Sequence, residues 1–310
     1  MAEPLLHVTG IEKSLGGESI LRGVDFDVEP GHIVVIVGPN GAGKTVLLCC
    51  IAGGLDPDSG SVEIEGTAAD HRSRRLLSFL PQHSMAIEHL TGRENARFYT
   101  KLHPAGANRW PALADGLGIS NDLGAKVRTY SGGMKRKLEL AIALDPDVPL
   151  FLLDEPTAGV DLSKAGRLHD LLRSRASAGQ SVVLTSHTPL DMELADRIVV
   201  VRDGRFRTIG RPADLLEALP AILRVRGRVA GMTGIVADYV IGGRWTVRGD
   251  ELRGFLRPDV DPDRIERRLG RESRMIDVGV ESPSFVDLFN YHTDPALEHA
   301  VDANQAVAAK

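Results

Sequence analysis

The chain has 310 residues, 43% apolar and 25% charged, with a formal net charge of −5. That is the profile of a globular protein with one large domain and a small one; it excludes collagen-like and low-complexity chains, and the negative balance argues against bulk nucleic-acid binding. The longest apolar runs, Ile33–Val37 and residues 198–201, have strand length, far short of the ~20 residues of a bilayer span, and Met1-Ala2-Glu3-Pro4 has no basic stretch before an apolar core, so no secretory leader is expected.

Residues 5–10 and 23–29 alternate apolar and polar side chains, as strands with one covered face do. Ile33–Val37 is apolar throughout, the pattern of a strand covered on both faces. A helical pattern over 45–52 follows a glycine-rich loop. Cys49 and Cys50 lie in it; adjacent cysteines do not readily bridge each other, so both are expected to be small core residues of a reduced protein. The turn Pro57-Asp58-Ser59-Gly60 leads to a strand at 61–65, and 76–80 is another. Residues 90–144 read as mostly helical. Residues 150–153 and 182–185 are apolar strands, with a helix over 163–176 between them. Strand, helix, strand with apolar strands predicts a parallel sheet with helices on both faces. Residues 198–202 and 205–209, joined by Asp203-Gly204, predict a hairpin.

The pattern changes after Pro220. Short strands are expected at 222–230, 244–248 and 275–280, helices at 258–269 and 284–289, and a polar tail from Asp294. The expected domains are therefore 1–220 and 221–310, the second a small α+β appendage. The Arg-rich stretch 253–274 is interleaved with Asp and Glu, and reads as a solvated mixed-charge surface rather than a nucleic-acid site.

The chemistry is concentrated in a few segments. Gly38-Pro39-Asn40-Gly41-Ala42-Gly43-Lys44-Thr45 fits the phosphate-binding loop in full, between a strand and a helix. Its glycines let backbone N–H groups turn inward around phosphates, and the next helix brings its positive end to the same point. Lys44 supplies charge for the β- and γ-phosphates, and the Thr45 hydroxyl is a ligand for Mg²⁺. Asp154 and Glu155 end an apolar strand, where a parallel sheet forms its ligand crevice. Asp154 is expected to hold the metal and Glu155 to act as the base for the attacking water. His187 follows strand 182–185 at the same edge and is expected to contact the γ-phosphate. Ser131-Gly132-Gly133 opens a second helix as an anion-binding turn. A second phosphate site so far along the chain makes sense if it faces a partner subunit. Gln82, after Phe79-Leu80-Pro81, says little alone.

Taken together, these segments resemble the nucleotide-binding subunits of ABC transporters over residues 5–215. The resemblance implies an α/β fold: a RecA-like P-loop NTPase core with an antiparallel β subdomain and a helical subdomain, besides the appendage. It makes 38–45 the Walker A motif, Ser131-Gly132-Gly133-Met134 the signature, and residues 150–154 Walker B. It makes Glu155 the catalytic glutamate, Gln82 the Q-loop residue beside the metal, His187 the switch histidine, and Ala158-Gly159-Val160-Asp161 the D-loop. The implied cofactors are ATP and Mg²⁺. The implied partners are a second copy of the subunit, completing each ATP site head to tail, and a separate membrane permease, with the chain at the cytoplasmic face of the membrane.

The runs from Tyr130 to Leu138, from Leu90 to Tyr99 and from Glu281 to Phe289 are similar to ATPases of ABC-2-type exporters, the daunorubicin-resistance kind. Import and non-transport roles are the alternatives. One position departs from the family: Leu15 stands before Gly16-Gly17 where relatives carry an aromatic that stacks on adenine. An aliphatic contact in place of a stack predicts weaker discrimination between ATP and GTP. Competition binding with the two nucleotides checks this, and strong adenine selectivity counts against it.

Overall fold

The structure is a computed structural model that describes residues 3–69, 73–159, 162–227, 236–243, 245–261, 265 and 276–293. The chain divides into two units, Met1–Arg211 and Pro212–Lys310.

Two sheets build the first unit. The antiparallel one has the order β2-β1-β4-β5, from β1 (Leu6–Leu15), β2 (Glu18–Val28), β4 (Ser59–Ile64) and β5 (Thr67–Ala68). Its alternation buries Leu6, Val8, Val24, Phe26, Val62 and Ile64 on one face. The second sheet has the order β10-β9-β3-β8-β7-β6. It comprises β3 (Ile33–Val37), β6 (Leu77–Leu80), β7 (Leu150–Asp154), β8 (Ser181–Ser186), β9 (Arg197–Arg202) and β10 (Arg205–Gly210). All its pairings are parallel except the β9–β10 hairpin, whose turn residues Asp203 and Gly204 both have positive φ, 51° and 71°. Every residue of β3, β7 and β8 is buried. Val34 and Ile36 share a core with Leu47, Leu48 and Ile51 of α1 (Lys44–Ile51), while Ile33, Val35 and Val37 are buried on the other face. The continuous apolar runs follow from this two-sided burial.

Cys50 is buried in α1 and Cys49 half-buried, and both thiols are free. Burial pushes the Cys50 thiol up to about 11, which leaves it unreactive.

Between β6 and β7 lie α2 (Gly92–Leu102), α3 (Trp110–Gly116) and α4 (Gly132–Ala143). Thr91 caps α2 in a capping box with Glu94. Gly92 is demanded by packing: a Cβ there would stand 2.3 Å from Tyr130 Oη. Asn95 is fully buried and organises the segment leading into the helix. Its Nδ2 donates to the carbonyls of Ile87 and Thr91, both at 3.0 Å, and its Oδ1 accepts from Ile87 N–H at 2.7 Å. After β7 come α5 (Leu162–Ser177), which packs on β3 and β8, and the short α6 (Pro189–Met192).

The second unit begins with α7 (Pro212–Glu217), ahead of the change read at Pro220, because α7 packs on α8 (Phe285–Thr293) of the same unit. Its antiparallel sheet has the order β12-β13-β11-β14, from β11 (Ile222–Gly227), β12 (Thr246–Arg248), β13 (Glu251–Phe255) and β14 (Ile276–Glu281). Strand β13 was not legible in sequence. It enters the Arg-rich stretch, where Leu252 turns inward and Arg253 pairs with Glu281 and Asp287 at 3.0 Å each. Ser284 caps α8 through Asp287, whose carboxylate accepts from Ser284 N–H at 2.9 Å. This explains the Ser-Pro-Ser-Phe-Val-Asp segment as a cap tied to the sheet by Arg253. Most of the expected helix 258–269 and the tail from Asp294 lie outside the described residues. Among the described residues no helix is long and apolar enough to cross a membrane.

Asn95→Ala removes three hydrogen bonds; the carbonyls of Ile87 and Thr91 still accept from the Leu90 and Asn95 N–H groups, so the Ile87 N–H alone is stranded, and unfolding free energy is expected to fall by about 1–3 kcal/mol. Urea unfolding measures this, and a loss below about 0.5 kcal/mol contradicts the organising role.

Candidate active site

Register decides where the polar residues meet. Asp154 pairs with Thr185, and Val37 with Ser186, so β3, β7 and β8 end at one edge of the sheet. Loop 38–45, Glu155 and His187 all leave from that edge.

The loop is shaped by its glycines. A Cβ on Gly38 would stand 2.1 Å from Val201 O, so only glycine lets the chain leave β3 beside β9. Gly43 precedes α1 with φ +96° and offers no side-chain cap, which leaves the first N–H groups of the helix for an anion. Lys44 is buried, and its Nζ donates to the carbonyls of Gly38 at 2.8 Å and Pro39 at 3.0 Å. Burial lowers its pKa, while Glu155 and Asp154 oppose that shift.

Asp154 is fully buried and is held from two sides. Thr45 Oγ1 donates to one carboxylate oxygen at 2.7 Å, and Thr185 Oγ1 donates to the other at 2.5 Å. Thr185 Oγ1 in turn accepts from Glu155 N–H at 2.9 Å. Glu155 takes a left-handed backbone, φ +49°. Gln82 Nε2 and His187 Nδ1 each lie 3.3 Å from its Oε2. A cavity of about 310 Å³ opens here, lined by Ile20, Asn40, Gly41, Gly43, Lys44, Thr45, Val46, Gln82 and Glu155. Three sequence segments thus converge on one carboxylate beside a phosphate-binding loop, the arrangement of a nucleotide hydrolase.

The ABC transporter domain family matches residues 21–158. Over 280 residues the chain is 36% identical to the daunorubicin resistance ATP-binding protein DrrA3 of Streptomyces coeruleorubidus, covering 83% of this chain and 88% of that protein. The chain belongs to the ABC transporter family. It is an ATP-binding subunit that hydrolyses ATP. It is also 29% identical to the Nod factor export ATP-binding protein I of Rhizobium etli, over 94% of both chains. A dimeric ATP-binding cassette solved after hydrolysis with ADP and Pi is 25% identical, covers 67% of this chain and 98% of that one, and superposes with a TM-score of 0.61.

The signature residues stand apart from the cavity. Ser131 caps α4, accepting from Met134 N–H at 3.3 Å, and neither it nor Gly132 or Gly133 lines the cavity. Gly133 packs against the D-loop: a Cβ there would stand 2.8 Å from Gly159 O. Asp161, the remaining D-loop residue of interest, lies outside the described residues. Leu15 is 43% exposed at the end of β1 and does not line the cavity. From the β1–β2 hairpin it is Ile20 that does, a residue sequence reasoning missed because it sits in an ordinary strand.

Asp191 was also missed, although it follows His187 closely, in the short α6. It is buried and accepts from Thr157 Oγ1 at 2.7 Å, Ser186 Oγ at 2.6 Å and Thr188 Oγ1 at 3.0 Å, with His169 Nε2 at 2.8 Å. Those partners lie just after Glu155, on both sides of His187, and on α5. Burial pushes the carboxyl up, yet the hydrogen bonds from His169, Ser186 and Thr157 outweigh it and hold the pKa below the usual value. A depressed folded pKa contributes stability above the unfolded pKa of ~3.9 and loses it as pH falls through the lower folded value. Asp191→Asn is therefore expected to be less stable by about 1–3 kcal/mol at pH 7, with the gap closing below about pH 4. Urea titrations at pH 7 and pH 3 measure it; a gap that widens in acid contradicts the sign.

Proposed function

We propose that the chain drives export through a separate ABC-2-type membrane permease, working at the cytoplasmic face as a homodimer. The observation that carries the catalytic part is the meeting of Gln82 and His187 on Glu155 Oε2 beside Lys44 and Thr45. The triphosphate lies along loop 38–45, its charge met by Lys44 and the N–H groups of α1. Glu155 accepts a proton from water as the water oxygen bonds to the γ-phosphorus. The bridging O–P bond breaks, and ADP and phosphate leave. His187 contacts the γ-phosphate and Gln82 holds the water and metal side of the cavity. Thr45 Oγ1 and the Asp154 carboxylate are hard oxygen donors that already meet, a set suited to Mg²⁺, with Gln82 Oε1 as a further donor. The ion, when bound, neutralises charge developing on the phosphate oxygens.

The separation of Ser131-Gly132-Gly133 from the cavity supports a second subunit. Each Ser131-Gly132-Gly133 serves the ATP held by the partner's loop 38–45, in a two-fold arrangement. Asp161 communicates across that interface, and Leu15, outside the phosphate cavity, is the residue proposed to meet the nucleobase beyond it. The likeness to resistance and export proteins, and the capped segment at 284–287, favour export over import. Cargo choice belongs to the permease.

Glu155→Gln is expected to bind ATP, cut turnover by about 10²-fold or more and accumulate as an ATP-bound dimer. Steady-state phosphate release and gel filtration read this, and near-normal turnover sinks the assigned role. Lys44→Ala is expected to lose most nucleotide affinity, read by fluorescent-nucleotide binding. Copurification with a membrane subunit and no solute-binding protein separates export from import.

A further inference from the structure

Arg136 and Glu139 stand one turn apart on α4, and both are buried, with relative exposures of 6% and 2%. Charges removed from water in this way are costly unless paired and hydrogen bonded. Their own separation, Arg136 Nη1 to Glu139 Oε2, is 3.6 Å, longer than a direct charge-assisted hydrogen bond. Their short contacts go elsewhere. Arg136 Nη1 donates to Pro81 O at 2.8 Å, and Nη2 donates to Asp154 O and to Glu155 O, the latter at 3.1 Å. Glu139 Oε1 accepts from Ser84 Oγ, from Met85 N–H at 3.0 Å and from Ala86 N–H at 3.3 Å. These bonds end on two segments only: the chain flanking Gln82 and the two acids at the end of β7.

The acids need such support. Glu155 has φ +49°, a conformation that side chains other than glycine rarely take and that persists where the surroundings over-determine it. The carbonyls of Asp154 and Glu155 belong to the two peptide planes that flank this residue. One guanidinium nitrogen holds both, while Thr185 Oγ1 holds the N–H between them. The same guanidinium reaches Pro81, the residue before Gln82.

We propose that Arg136 and Glu139 form a positioning pair: Arg136 pins the left-handed turn that aims the Glu155 carboxylate into the cavity, and together with Glu139 ties that turn to the segment carrying Gln82. The inference rests on Glu155 acting as the base. Neither residue touches the nucleotide cavity. Their effect is on the approach of Glu155 to the attacking water, and so on kcat rather than on nucleotide affinity.

The test uses the full chain and ATP. Arg136→Lys keeps the charge, but one ammonium cannot span three carbonyls. Its kcat is expected to fall about tenfold or more, with KM and fluorescent-nucleotide affinity within about twofold of wild type. Glu139→Gln keeps acceptors for the 84–86 segment and removes the charge; its kcat is expected to fall severalfold with the same split. Combining Arg136→Lys with Glu155→Gln is expected to add no loss beyond Glu155→Gln alone, because both act through one carboxylate. Wild-type kcat in both single variants overturns the proposal. So does a loss of affinity equal to the loss of kcat, or full additivity in the double variant. If Arg136→Lys fails to fold, Glu139→Gln decides alone by the same split. If Glu155→Gln itself turns over normally, the assignment of the base has failed; if it is inactive while Arg136→Lys and Glu139→Gln behave as wild type, only the positioning pair has failed.

Discussion

The buried carboxylate of Asp154 is the interaction on which the rest of the site depends. It ends β7, an interior strand between β8 and β6, and it accepts one hydroxyl from α1 and another from β8. A charge in that position is tolerated only because both oxygens are bonded. The two bonds also fix geometry. Thr45 ties the strand end to the phosphate-binding loop, and Thr185 passes the constraint on to the Glu155 N–H. One buried carboxylate thus aligns Thr45, Glu155 and the loop 38–45. The apolar strands around it make the alignment rigid, since a one-residue slip of β7 against β8 would part Asp154 from Thr185.

A second layer of buried polar groups surrounds that centre. Asp191 gathers hydroxyls from the segment after Glu155 and from both neighbours of His187, so the chain beside these two residues shares one anchor. Arg136 and Glu139 do the same for the Gln82 segment and the end of β7. Each network joins backbone segments far apart in sequence, and the charged groups at its centre, Asp191, Arg136 and Glu139, are buried. Buried networks of this kind reward complete satisfaction and penalise any missing partner. They suit a site whose parts must hold one relative geometry while ATP binds and leaves.

The strands of the core and the loop 38–45 were legible because their signals are local. Continuous apolar runs report burial on two faces, and glycines at fixed offsets report a backbone turned around phosphate. The Asp203-Gly204 hairpin was legible for the same reason. Strand β13 was not, since its charged alternate residues look solvent-facing until Glu281 and Asp287 supply partners. Arg136 and Glu139 were hidden likewise: on a linear pattern they belong to the polar face of α4, and only the fold shows that this face is covered. Ile20 and Thr185 sit in strands that reveal nothing of a cavity.

The amino-acid sequence by itself determined the family, the nucleotide chemistry and the identity of the acids, because these depend on residue types at short spacing. It also determined that the signature turn lies far along the chain from the phosphate loop. Only the tertiary structure decided that Gln82, Glu155 and His187 meet within hydrogen-bond reach, that Leu15 lies outside the cavity, and that Asp191, Arg136 and Glu139 hydrogen bond to the segments around them. The reason is physical: side-chain burial and long-range hydrogen bonds are set by strand register and helix packing, and neither can be read from neighbours in the chain.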